Sequence, residues 1–153
     1  MNSSTTDSNI ENLLFIIANL PDFLKVSVCR TKTKELVEMT ESEKKEAMVK
    51  SLSCINLIQR DKLVGLIKTW MKVISEIESD ELTEILNCYL LILDSVKLFN
   101  KIDSKLILST FLSLEVDERN KLMDCLKEAL FLNPNRQNIL KIIPTNLAKV
   151  ILN

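Results

Sequence analysis

The sequence predicts an all-α fold of about eight helices, built as stacked antiparallel αα-hairpins that form a short α-solenoid or an irregular helical bundle. Three observations predict it. Apolar residues recur at helical spacing almost throughout the 153 residues. The chain holds one Gly and three Pro, too few turn formers for the many short strands of a sandwich or barrel. Acidic helix starts also recur, with Glu43, Glu81 and Glu118 opening similar segments 38 and 37 residues apart. A lone hairpin cannot cover its own apolar face, whereas stacked hairpins share one core. The length suits a single domain that folds without a metal or disulfide staple. Residues 1–8 are polar and are expected as a flexible tail, and residues 9–153 as one all-helical domain.

The elements follow in order. Ile10, Leu13, Leu14, Ile17 and Leu20 form the first stripe, closed by Pro21. Pro21-Asp22 opens the second segment, carried by Phe23, Val26, Leu36 and Val37, with a break expected near Cys29. Thr40 and Glu43 have capping-box spacing and precede Ala47, Met48, Leu52 and Ile55. Leu63, Leu66, Ile67, Trp70, Met71 and Ile74 make an i, i+3, i+4, i+7 stripe in which Trp70 reads as a core anchor. Ser79-Asp80 starts the next helix. It carries Leu82, Ile85, Leu86, Tyr89, Leu90 and Leu93, and Leu91 and Ile92 on the other side predict burial nearly all round.

Asp103 or Ser104 caps a shorter helix bearing Ile107, Phe111 and Leu114. Asp117 is expected to cap one with Leu122, Met123, Leu126, Ala129 and Leu130. Asn133-Pro134 reads as an N-cap followed by Pro at the first helical position, ahead of Ile139, Leu140, Ile142 and Ile143. Pro144 is expected to end or kink that helix, because it lacks a backbone donor and clashes with the preceding turn.

On the period and the helix pairing over residues 9–153, the chain resembles the helical-repeat α-solenoids of the HEAT or tetratricopeptide type. The period is slightly short for HEAT repeats, and Gly65 does not sit in the Leu-Gly context of the tetratricopeptide signature. What the resemblance implies is a scaffold that binds other macromolecules along a groove.

Composition removes several chemistries. With no His, the chain cannot build a Ser-His-Asp triad, a Cys-His dyad or a His-bearing zinc site. Cys29, Cys54, Cys88 and Cys125 form no CxxC pair, so neither a zinc knuckle nor a thioredoxin-like motif is present. Cys88 and Cys125 read as small buried hydrophobes. Cys29, beside Arg30, has the one sequence neighbour that would lower a thiol pKa. One Gly cannot make a phosphate-binding loop, and EF-hand spacing is missing. No catalytic residue, metal or cofactor is expected, and the chain reads as a non-enzyme.

Twenty basic residues against twenty-one acidic ones give a net charge of −1, which provides no global steering toward nucleic acid or an anionic membrane. The apolar run around Tyr89 to Leu93 is too short to span a bilayer. The polar start carries no basic leader region, so a reducing, cytoplasmic setting is expected.

Protein–protein interaction is therefore the leading function. Glu76, Glu78 and Glu84 belong to an acidic run free of Lys and Arg between residues 73 and 96; it suits solvated helix capping or a basic partner. Lys68 and Lys72, with the other basic residues between 25 and 72, would carry the alternative function, nucleic-acid binding or a regulatory role. A carrier of small apolar ligands is a further alternative. Phe15 and Ile16 fall off the first stripe, and Ile151 lies in the amphipathic last segment. These poorly capped ends predict a homodimer or a constitutive protein partner through a terminal helix.

Overall fold

A computed structural model describes residues 3–96, 103–143 and 145–152. The chain is 86% helical, and no strand occurs among the described residues. The helices are α1 (Ser3–Ala18), α2 (Asp22–Glu38), α3 (Glu41–Cys54), α4 (Arg60–Ile74), α5 (Ser79–Val96), α6 (Ser104–Leu112), α7 (Val116–Leu132), α8 (Arg136–Ile142) and α9 (Thr145–Leu152). A 3-10 turn, Ile55–Leu57, follows α3. α1 starts at Ser3, within the segment read as a tail; residues 3–8 hold no Gly or Pro that would break it.

Several ends are set by side chains. At α3, Thr40 Oγ1 accepts from the Glu43 amide at 3.2 Å while Glu43 Oε1 accepts from the Thr40 amide at 3.0 Å. This reciprocal box satisfies two amides that the helix leaves open, and hydrogen bonds from the Thr40 amide and hydroxyl hold the Glu43 carboxyl below its ordinary range. Asp103 caps α6, its carboxylate accepting from the Leu106 amide at 3.1 Å.

Three boundaries differ from expectation. α2 runs unbroken past Cys29 to Glu38, with the Thr31 and Thr33 hydroxyls bonded back to the carbonyls four residues earlier. α7 is capped two residues before Asp117: Glu115 is its N-cap and Val116 its first residue, and Glu118 accepts from the Glu115 amide at 3.0 Å. Pro134 occupies a turn and is not the first residue of α8; Asn133 Oδ1 accepts from the Asn135 amide at 2.8 Å, closing an Asx turn that postpones the helix to Arg136. Pro144 itself lies outside the described residues, and α8 and α9 on either side of it are separate helices.

Each of α1 to α7 packs most heavily on a helix two places away, not on its sequence neighbour. α1, α3, α5 and α7 form one row and α2, α4 and α6 a second, with α8 set against α5 and α7 and α9 against α6 and α7. Polar contacts within the rows repeat this register. Arg30 with Glu76, Lys44 with Glu84, Arg60 with Asp103, Lys121 with the Ile77 carbonyl and Cys125 with the Ser79 carbonyl span 40 to 46 residues.

Four apolar clusters fill the space between the rows. Trp70 packs against three of them, the anchor its position in the α4 stripe predicts. Phe23 is a correction. Expected on the core face of α2, it is 73% exposed, because α2 turns Lys25, Cys29, Thr33 and Leu36 inward instead. Gly65 on α4 lies beside Lys25: a Cβ there would stand 3.0 Å from the Lys25 ammonium.

Candidate protein-docking groove

α5 carries two faces. Leu82, Ile85, Cys88 and Ile92 are buried against α3 and α7, while Asp80, Thr83, Glu84, Asn87 and Leu91 share the opposite side at helical spacing. This second face is open, so α5 is not buried all round as its composition suggests. The wall beside it comes from the end of α7, Ala129 and Leu132, and from Pro134 just beyond. α7 stops there because the Asn133 amide caps back onto the Leu130 carbonyl at 3.1 Å and the Asx turn then redirects the chain. Between the two elements lies an open groove of about 440 Å³.

Its chemistry is graded. Asp80 stands in the first turn of α5, where the helix dipole favours a carboxylate. Lys44 Nζ donates to Glu84 Oε1 at 2.7 Å, with the Lys44 side chain withdrawn from solvent and that of Glu84 57% exposed. The Thr83 hydroxyl and the amide nitrogen of Asn133 are buried with no hydrogen-bond partner. Leu91, Ala129, Leu132 and Pro134 supply an apolar end, where Leu132 is 66% exposed. Beside it Arg136 lies over the exposed Phe131 ring at 5.3 Å and donates to the Phe131 carbonyl at 3.2 Å.

Of the residues singled out from the sequence, Glu84 lines the groove. Glu76 does not. It accepts two bonds from the Arg30 guanidinium, both 2.9 Å, which hold its carboxyl below the ordinary range. Glu78 is exposed in the turn before α5. Lys68 and Lys72 are half-buried on α4. The basic stretch around them is not one open face: Lys25 is buried, and Arg30 and Arg60 are engaged by Glu76 and Asp103. Phe15 packs against the cluster around Ile17, whereas Ile16 is 60% exposed. Ile151 is a correction. It is buried with Ala129, Leu130 and Ile139, because α9 folds back onto α7, so it is core and not a terminal contact surface.

Cys88 and Cys125 are buried and unpaired, as expected. Cys29 is buried too, and burial pushes its thiol up despite the nearby Lys25 cation; a reactive thiol needs the reverse shift. Tyr89 is pushed up to about 12 by desolvation, against a hydrogen bond with Trp70.

Sequence reading missed Thr83, Asn87, Leu91, Ala129, Leu132 and Pro134. Half of the signal was present, since Asp80, Thr83, Glu84 and Asn87 form a polar stripe opposite the apolar one. The other half depends on where α7 ends in space. Among the described residues no three His, Cys, Asp or Glu side chains gather as a metal site, and no helix is long and apolar enough to cross a membrane. No protein-family model, curated protein or solved structure matches the chain.

Proposed function

We propose that the chain is a non-enzymatic helical interaction module, a scaffold whose two rows of helices hold a groove for a segment of a partner protein. The observation that carries this reading is the groove along α5, in which the Asp80 and Glu84 carboxylates stand beside an apolar end. Such a surface combines anchoring area with groups that gain from a ligand's hydrogen bonds. The register of 40 to 46 residues between paired elements supports the helical-repeat reading, in which a rigid stack presents a preformed surface. A photo-crosslinking amino acid at Leu91 or Leu132, in the full chain in native extract, tests it. The expected result is a discrete adduct from both positions and none from the exposed Lys34; equal labelling from all three overturns it.

A second reading, self-association, has its own support at the other end of the array. Ile16, Phe23 and Leu24 are exposed around the α1–α2 turn, a grouping that suits a two-fold contact. Light scattering should then give twice 17.5 kDa, reverting to a monomer in Ile16→Lys or Phe23→Lys. A monomer of the unaltered chain at high concentration refutes it.

A further inference from the structure

The lining of the α5–α7 groove specifies the charge and shape of what fits it. From Asp80 to Leu91 the open face of α5 extends about 16 Å at the helical rise, roughly three turns. The lining residues include two carboxylates, Asp80 and Glu84, and no cation. Asp80 has no ion pair among the described residues. Glu84 has Lys44, but that ammonium sits behind it, its side chain 3% exposed, while the Glu84 carboxylate stays open. Arg136 on α8 faces Phe131. An incoming acidic segment therefore meets like charge at Asp80 and at the open side of Glu84. An uncharged apolar segment leaves the Asp80 carboxylate unmatched.

We propose that the groove docks a cationic amphipathic helix from a partner protein. This rests on the interaction-module reading and adds the partner's chemistry. An apolar side chain seats against Leu91, Ala129 and Leu132, and Lys or Arg side chains about seven and eleven residues along the same helix face meet Glu84 and Asp80, because two helices lying side by side advance at the same rise. Charge sets orientation and rate of encounter, and the apolar anchor supplies the retained area.

The test uses two synthetic helical peptides with one leucine stripe at i, i+3, i+4 and i+7, flanked by Lys in one and by Glu in the other, each titrated into the isotope-labelled full chain. The Lys peptide should saturably shift the amide signals of Asp80 to Leu91 and Ala129 to Leu132, and its affinity should fall as salt rises. Asp80→Lys and Leu132→Glu, both at exposed positions where folding tolerates change, should each weaken it about tenfold, equivalent to about 1.4 kcal/mol. If the Glu peptide shifts the same amides as strongly, the cationic partner is refuted and the groove reading survives. If neither peptide moves these amides, or the Lys peptide moves others, this inference fails; the crosslinking from Leu91 and Leu132 then decides the broader reading separately.

Discussion

α4 and α5 on one side, and α2 and α3 on the other, pack as neighbours yet bury different kinds of residue. α4 and α5 turn inward Leu63, Leu66, Ile74, Leu82 and Ile85 from the stripes their own sequences mark, joined by Thr69, Val73 and Ile92. α2 turns in Lys25 and Thr33 beside Cys29 and Leu36, and α3 turns in Lys44 beside Met48. A helix with a strong stripe chooses its own inward face. α2 and α3 have weak ones, and their faces are chosen by what the partner helices offer. Gly65 leaves room for the Lys25 ammonium, Asp22 stands 3.6 Å from it, and Glu84 receives Lys44. Thr33 satisfies itself, donating to the Cys29 carbonyl at 2.8 Å. α4 and α5 are thus the framework, and α2 and α3 are fitted to it.

The largest effect should come from removing framework. Ile85 is 0% exposed at the centre of the α3–α5 contact, and Ile85→Ala should cost about 3 kcal/mol in denaturant unfolding through lost burial and the cavity left. Thr33→Ala, at an equally buried site on α2, should cost no more than about 1 kcal/mol, since the bond it loses is local to its own helix. Equal losses at the two sites would erase the distinction between framework and fitted helices.

Next in size is the Lys44–Glu84 pair. Glu84→Gln leaves a buried ammonium facing a neutral amide and should destabilise by about 1–2 kcal/mol, less than a fully buried pair would, because Glu84 is half-exposed. Lys44→Met should be neutral or stabilising, as its side chain is already withdrawn from solvent. In the Lys44→Met background, Glu84→Gln should then cost almost nothing. If its cost persisted undiminished, Glu84 would be acting through something other than the lysine, and α3 would not depend on α5 in the way described.

The same contrast explains what the sequence made legible. The α4 stripe, the α5 core residues, the Thr40–Glu43 box and the Asp103 cap are all local patterns, and local patterns decide outcomes where intrinsic preference and burial agree. Phe23 was misplaced because α2 carries apolar residues on a face that the fold leaves wet, and no property of α2 alone reveals that Gly65 will admit a lysine. Glu115 outcompetes Asp117 as a cap because Glu118 stands three residues after it, a box spacing present in the sequence itself. The groove escaped for a different reason: it belongs to neither α5 nor α7, and arises from where the Asn133 turn stops α7 against α5. The exposure of α5's polar stripe was readable, but its apolar wall was not.

The smallest effect tests the exposed counterpart of the buried pair. Arg30 on α2 and Glu76 beyond α4 tie a fitted helix to the framework through solvent, with two 2.9 Å bonds. The hydrogen bonds from Arg30 lower the Glu76 carboxyl in the folded state, outweighing the opposing effect of burial. A carboxyl lowered on folding adds stability that is fully present above its unfolded pKa and is lost as pH falls through its folded one. The advantage of the unaltered chain over Arg30→Gln should therefore stay constant from pH 8 to pH 6. It should begin to shrink as pH drops below about 4.3 and vanish once Glu76 is protonated in the folded chain. High salt at neutral pH should shrink it as well, because both side chains face water. Thermal melts of the two proteins across this range check the sign. An advantage that stayed constant through acidification would mean that Arg30 stabilises α2 by packing along its length and not by holding Glu76.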